Sequence, residues 1–439
     1  MMKQPRAKLY LTFKDFFSFF INLFLRKKNF VGPEVRKFEK LLKNYWERDN
    51  CITLSTCRLG LYYVLKSLDL KKGSEVLLNP LQIPDFVNVI LDLNLKPVFV
   101  EIDNNTKSFN LNDLNSKISN KTKVILATYL TGILPDVEKL NEIAEEKKLF
   151  LIEDISQSYG SKFGNKKAGS YGFASIGSLS PGKIISSIGG GFILIDSTIH
   201  AKKILRYIDQ DLKIPSKKTL FSIFSYQLTV ALVTSRYLFN FFTYYLFLLI
   251  SKLFTKKFEK LHRPDYNIGH KDKTIYDNPI IRRKLPKNIF FKFTDLQAEL
   301  AIKTFQKNLI YGLKHRQKIA KELFNSLDQK VKNMVPIKVK DFEESCFWHF
   351  PIVLNSSHKN FQNFLLNEGL DVVGYGLKLC NELDSFNFFK KELKVAKNIH
   401  DNTYFLPLFD DMSKNDALKV AKIVNLYFKK FDNSDQVFI

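Results

Sequence analysis

In the stretch S-L-S-P-G-K-I-I-S-S-I-G-G-G, Ser178 to Gly191, a single lysine stands between a Pro-Gly pair and three consecutive glycines. Backbone of this kind lets a ligand approach closely, and the Lys183 amine could then form an imine with a carbonyl. Two other residues suit that chemistry. Ser178 offers a hydroxyl for a phosphate, and Asp154, at the end of an apolar run, offers a carboxylate. Pyridoxal phosphate needs such a set: a lysine for its aldehyde, an anchor for its phosphate, and a carboxylate that keeps its ring nitrogen protonated. Each residue alone also has a plainer reading. A lysine in a glycine-rich loop is commonly a solvated charge, an Asp after a strand is commonly a helix cap, and G-G-G is commonly a flexible turn. From these residues alone, an α/β enzyme with a Schiff-base lysine is one open reading.

The elements that would position these residues alternate. Val35, Phe38, Leu41, Leu42 and Tyr45 recur at helix spacing, as do Leu61, Val64, Leu65 and Leu68 in a helix starting near Arg58. Short apolar runs at 75–80, 97–103, 123–128 and 149–154 read as strands, with a helix carrying Val137, Leu140, Ile143 and Ala144 before the last. Apolar strands between amphipathic helices predict a mainly parallel sheet covered on both faces, with ligands beyond the carboxyl ends of its strands. Further on, 347–354 reads as a strand, and Ser413-x-x-Asp416 opens a final helix. The expected organisation is an N-terminal segment 1–30, a large domain 31–313 and a small α+β domain 314–439.

Residues 219–254 break the pattern. They contain only two charges, Arg236 and Lys252, and lie between Lys217-Lys218 and Lys256-Lys257. The arms 220–235 and 237–250 are each shorter than the roughly 20 residues that a membrane span needs. Basic residues at both ends favour one side of the membrane for both. The expectation is an interfacial helix pair or re-entrant hairpin on the cytoplasmic face, joined there by the apolar-basic run at 10–28; a packed helical insert is the alternative.

Several ordered blocks resemble the DegT/DnrJ/EryC1/StrS family of sugar aminotransferases. They are G-P-E-V-R-K-F-E, E-V-L-L-N-P with K-P-V-F-V-E-I-D, I-E-D-I-S-Q-S-Y-G, G-S-Y-G-F-A-S-I-G-S-L-S-P-G-K, D-L-Q-A-E-L-A and F-L-P-L-F. The resemblance runs from about Gly32 to the C-terminus. It implies fold type I of the pyridoxal-phosphate transferases, an α/β fold with a mainly parallel sheet, a smaller α+β C-terminal domain and here an apolar helical insert. It places Lys183 on the family's cofactor-linked lysine, Asp154 on its ring-nitrogen carboxylate, Gln157 beside the cofactor ring and Ser178 on the phosphate. Family dehydratases carry His at the lysine position, so Lys183 disfavours that chemistry. Three positions depart from the family pattern. Thr56-Cys57-Arg58 stands where the family has S-G-T, leaving Cys57 at the helix start and Arg58 as a phosphate cation; Ile83 replaces the stacking aromatic. Phe290-Phe291-Lys292 replaces N-Y-R, whose Asn reaches the partner subunit's phosphate, so that Lys292 or Asn288 would have to substitute.

The resemblance implies a homodimeric aminotransferase that takes an amino group from glutamate and gives it to a keto-sugar, nucleotide-linked in the family, for surface-glycan biosynthesis. Membrane contact would place it next to glycan assembly or give it a lipid-linked keto substrate. The departures motivate a rival, a non-catalytic sensor or membrane-complex subunit with the same fold. The net charge of +24 reads as lysine-rich composition or attraction to an anionic membrane, because there is no aromatic-basic motif for nucleic acid. The four cysteines have no metal-ligand or redox spacing and fit a reducing compartment.

Overall fold

The computed structural model describes residues 3–5, 8–25, 31–104, 108–253, 285–354, 358 and 360–431. Its centre is a seven-stranded sheet of β1 (Asn50–Leu54), β2 (Glu75–Leu78), β3 (Lys96–Phe99), β4 (Thr122–Thr128), β5 (Phe150–Asp154), β6 (Ala174–Ser178) and β7 (Gly191–Ile195). The spatial order is β1-β7-β6-β5-β4-β2-β3. The sheet is parallel from β3 to β6, and β7 runs antiparallel to both its neighbours.

Alternate side chains of these strands enter opposite cores, as a pleated strand requires. Val76, Leu78, Leu126, Ile152 and Ile193 pack with α3 (Cys57–Ser67) and α4 (Pro84–Asp92). Leu77, Ile125, Leu151 and Leu194 pack with α2 (Pro33–Trp46) and α5 (Val137–Glu146). The mainly parallel, doubly covered sheet expected from the sequence is therefore present. A three-stranded antiparallel sheet of β8 (Phe350–Val353), β9 (Val373–Gly374) and β10 (Thr403–Leu406) follows in the C-terminal part, in the order β8-β10-β9. Residues of α9 (Leu313–Asn325) and α10 (Lys414–Phe431) share its core. The cap expected for the last helix forms: the Ser413 hydroxyl accepts from the Asp416 N–H at 3.2 Å, and Asp416 Oδ2 accepts from the Ser413 N–H at 3.0 Å.

Two expected strands are shorter than their apolar runs. The run at 97–103 pairs with β2 only as far as Phe99, and Ile102 bridges Phe109 instead. The run at 347–354 begins its strand at Phe350, because Phe347 has φ of 47°. Left-handed backbone cannot continue a strand, and it turns the chain just before Trp348.

The apolar insert forms helices. α6 (Lys217–Val233) is followed by a short helix Arg236–Leu238, a wide turn Phe239–Thr243 and α7 (Tyr244–Leu253). Phe254 and Lys256-Lys257 lie outside the described residues, as do 26–28 of the apolar-basic run at 10–28. The rest of that run forms α1 (Phe13–Leu25), which packs on α6: Phe19 stacks on Phe224 with centroids 5.5 Å apart. Buried Phe16, Phe19, Leu23, Leu220 and Phe224 share a cluster with Ile188 and with Leu296 and Leu300 of α8 (Asp295–Thr304). α7 instead packs beside Leu366. Among the described residues, no helix is long and apolar enough to cross a membrane.

Candidate active site

Asp154 is the last residue of β5 and Ser178 the last of β6. The two strands are adjacent and parallel, so both residues arrive at the same edge of the sheet. The next turn carries Lys183, preceded by Gly182 at φ 83°, where a side chain would be strained. All three line one cavity, together with Cys57, Arg58, Ile83 and Gln157. Of the residues singled out from the sequence as cofactor contacts, these seven are in the wall of one cavity, whereas Lys292 and Asn288, expected to reach a partner's phosphate, are not in its lining.

The motif blocks also hold one another. Glu153 is fully buried beside Asp154 and accepts from the backbone N–H groups of Gly169, Tyr171 and Gly172 at 2.7–2.9 Å. The I-E-D block therefore fixes the G-S-Y-G block that leads into β6. The loop after Lys183 is fixed by α8, the D-L-Q-A helix. Gln297 Nε2 donates to the Gly189 carbonyl at 3.0 Å, and its own carbonyl accepts from the Ser187 hydroxyl at 2.9 Å. At the other end of the chain order, Asp295 accepts from the N–H groups of Gly32 and Val35, both at 3.0 Å, tying the G-P-E-V block to the same helix. A Cβ on Gly191 would stand 2.4 Å from the Cys57 backbone nitrogen, so only glycine lets β7 pass this close to the start of α3.

Lys183 and Asp154 are both buried. Burial lowers the Lys183 amine to about 8, opposed by the nearby Asp154 charge. Burial raises the Asp154 carboxyl, opposed by the N–H of Ser156, which donates to it at 3.0 Å, and by Lys183. The Lys183 ammonium lies 3.8 Å from the Trp348 ring centroid, and the Trp348 indole donates to the Gly182 carbonyl at 2.9 Å. Gln157 is held by its Oε1, which accepts from the Thr131 N–H at 2.9 Å. The Ser178 and Ser180 hydroxyls share a hydrogen bond of 2.8 Å.

Three expected contacts have different surroundings from those anticipated. The Arg58 guanidinium, expected to bind phosphate, is hydrogen-bonded to fully buried Asp85, so its charge is already compensated. Cys57 starts α3 with its sulfur 3.7 Å from the Ser156 hydroxyl, and burial pushes its thiol well up, so it enters the site as a neutral wall. Lys292 reaches out to Asp209 at 2.8 Å, while its neighbour Phe291 lines the cavity. Trp348, Ser156, Ser180, Gln297 and Ile223 also line the cavity and were not singled out. For Trp348 the reason is the strand reading of 347–354, which the turn at Phe347 cuts short. Ile223 comes from the apolar insert, whose sequence gives no sign that it reaches the site.

The wall offers three complementary ends. There is a buried amine, a buried carboxylate that a cation would relieve, and the first turn of α3 with Thr56, Cys57 and Arg58 beside the Ser178 and Ser180 hydroxyls. N–H groups at a helix start favour an anion. A group with an aldehyde, a protonatable ring nitrogen and a phosphate matches all three.

The family match is extensive. The DegT/DnrJ/EryC1/StrS aminotransferase family matches residues 21–229 and 271–425. The chain belongs to this family. The stretch between the two matches, 230–270, overlaps the apolar insert, whose first part (219–229) lies inside the match. Curated relatives include a GDP-perosamine synthase of Escherichia coli O157:H7, 31% identical over 183 residues, 42% of this chain and 50% of that protein. The spore coat polysaccharide biosynthesis protein SpsC of Bacillus subtilis is 27% identical over 173 residues, 39% and 44% of the two chains. The chain spans about half the length of the curated relatives it matches. Among solved structures, Helicobacter pylori PseC, an aminotransferase involved in the biosynthesis of pseudoaminic acid, superposes with TM-score 0.70 at 17% identity, covering 98% of this chain and 100% of that one. An E. coli GDP-4-keto-6-deoxy-D-mannose-3-dehydratase with bound hydrated PLP gives 0.67 at 17%, covering 97% and 100%. The family fold is shared throughout.

The depressed amine has a signed consequence for the cofactor-free protein. Its folded value of about 8 lies below the 10.5 of an ordinary lysine, so the wild type carries a penalty below pH 8 that disappears as pH rises toward 10.5. Lys183→Met removes it. The variant is expected to be more stable than wild type at pH 7, by on the order of 1–3 kcal/mol in urea unfolding, with the difference shrinking by pH 10. A constant difference across that range would contradict the buried-amine reading.

Proposed function

We propose that the chain is a pyridoxal-phosphate aminotransferase that moves an amino group from glutamate to a keto-sugar. The observation that carries the reading is the buried Lys183 amine, lowered by burial to about 8, in one cavity with buried Asp154. The printed activities of the relatives, among them GDP-perosamine synthase and dTDP-3-amino-3,6-dideoxy-alpha-D-galactopyranose transaminase, support a keto-sugar acceptor.

When bound, the cofactor supplies an electron sink for the carbon that exchanges its nitrogen. The residues of the chain do the rest. Lys183 Nζ would hold the cofactor, and its amine would be the base and acid that moves the proton at the reacting carbon, a value of about 8 giving it both forms near neutral pH. Asp154 would keep positive charge on the ring nitrogen and would itself be relieved by it. Ile83 and Gln157 would contact the ring from the cavity wall, and Trp348 holds the Lys183 loop. The start of α3, Ser178 and Ser180 hold the phosphate, with Arg58 contributing to the extent that Asp85 leaves its charge available.

As in the family, a homodimer is expected, with the large and small domains dividing near residue 313. Sedimentation at twice the chain mass checks the dimer, and sedimentation at the chain mass would reject it. Surface-glycan biosynthesis is the setting that the relatives suggest. The exposed rings of α1 (Phe17, 66%; Phe24, 54%) and of the insert (Phe241, 79%; Phe242, 65%) support contact with the cytoplasmic membrane face. Anionic phosphatidylglycerol vesicles should pull the protein down, and a Phe17→Ser, Phe24→Ser double variant should do so several-fold less. Equal retention of the two proteins would remove α1 from the contact.

The catalytic reading is tested by visible absorbance of the cofactor-loaded protein. A long-wavelength band that bleaches on adding glutamate is expected in wild type and missing in Lys183→Ala. A Lys183-dependent band indifferent to glutamate would exclude that donor. No band with excess cofactor would favour the non-catalytic reading, for which the Arg58–Asp85 pair is the specific motive.

A further inference from the structure

The insert does not stand apart from the site. Ile223 of α6 is half-buried and lines the cavity that holds Lys183 and Asp154, as does fully buried Ile188. Both belong to the apolar cluster that α1 and α6 form together. The same two helices present Phe17, Phe20, Phe24, Phe221 and Tyr226 to solvent, each between 39% and 66% exposed. Ring contacts connect the exposed and buried layers: Phe20 lies 5.9 Å and Phe221 lies 6.2 Å from buried Phe224. One apolar body therefore has one side in the reaction cavity and another on the surface.

The charges around it are one-sided. From Lys217 to Leu253 there is no acidic residue, and exposed Lys218 stands at the start of α6, where Lys217 Nζ donates to the Phe24 carbonyl at the end of α1 at 3.2 Å. The one acid of α1, Asp15, is paired with Lys303 at 3.2 Å. Such a surface fits apolar chains carrying anionic phosphate. The cavity itself has few cations to offer a sugar diphosphate. Among the described residues that line it, only Arg58 and Lys183 are basic; the first is bonded to Asp85 and the second is the reacting amine. Its apolar lining includes Ile188, Ile223, Phe291 and Leu377.

We infer that the keto-sugar reaches this site carried on a lipid phosphate, with its hydrocarbon chain along the α1–α6 seam and its phosphate near Lys218 at the start of α6. The inference rests on the aminotransferase reading for the keto-sugar, but its own evidence is the seam. It differs from that reading in placing the recognised tail in the protein's apolar insert and not in a nucleotide pocket.

The probe is farnesyl diphosphate below its aggregation concentration, against GDP, UDP and dTDP, read by tryptophan fluorescence of the full chain. Trp46 is 1% exposed in the core and Trp348 lines the cavity, so a ligand-dependent change reports Trp348. Saturable quenching by farnesyl diphosphate that none of the nucleotides displaces is expected. Ile223→Asp should weaken it about tenfold or more, because a carboxylate would have to be desolvated against the chain. Ile223→Ala, a milder change if the first variant folds poorly, should weaken it about threefold. Preferential binding of a nucleotide, including one held by cations from a second copy of the chain, would overturn the inference. So would farnesyl diphosphate binding that neither variant alters. Cofactor loading is followed separately by visible absorbance. Ile223-dependent farnesyl diphosphate binding without cofactor loading would retain the lipid inference and reject the aminotransferase.

Discussion

An amine and a carboxylate kept out of water in one cavity constrain the rest of this structure. Neither ion is comfortable there: burial drives the Lys183 amine down and the Asp154 carboxyl up, each only partly offset by the other. Such a pair persists only if the surrounding fold is stable enough to hold it. Asp154 is anchored at the end of a strand in the middle of the sheet, with parallel neighbours on both sides. Lys183 sits on a turn braced by the Trp348 indole, and α8 grips the residues that follow it. The hydrogen bonds of Glu153 and Asp295 bring distant sequence blocks to the same place. Discomfort of this kind is what a bound cation-bearing ring with an aldehyde relieves.

Much of this was legible in the residues because it depends on local rules. Continuous apolar runs marked β2, β4 and β5, and helical spacing marked α2, α3 and α5, since burial on both faces leaves that trace. The placement of Asp154 followed from its position after an apolar strand in a parallel sheet. Lys183, Gln157 and Ser178 came from the resemblance as much as from spacing, and the structure brings them into one wall. Other features depend on long-range partners and leave no local signal. Nothing around Arg58 announces Asp85, 27 residues away, as its counter-ion. Trp348 looked like part of a strand because the left-handed turn at Phe347 falls on a residue whose type gives no warning. Ile223 reads as one apolar residue among many until α6 is seen beside the cavity.

The insert shows why composition alone is ambiguous. Its apolar residues satisfy two demands at once: α6 packs through Leu220 and Phe224 against α1, and still leaves Phe221 and Tyr226 in solvent. The sequence admitted a packed element and an interfacial one as alternatives. The helices are packed on one face and bare on another, so the two descriptions are not exclusive.

The central claim is that Lys183, among the many lysines of this chain, is the residue that holds the cofactor. Borohydride reduction of cofactor-loaded protein, followed by digestion and mass spectrometry, tests it directly. The account predicts the reduced cofactor's mass on the peptide containing Lys183 alone. Label on another lysine, or spread over surface lysines with none on Lys183, would contradict it.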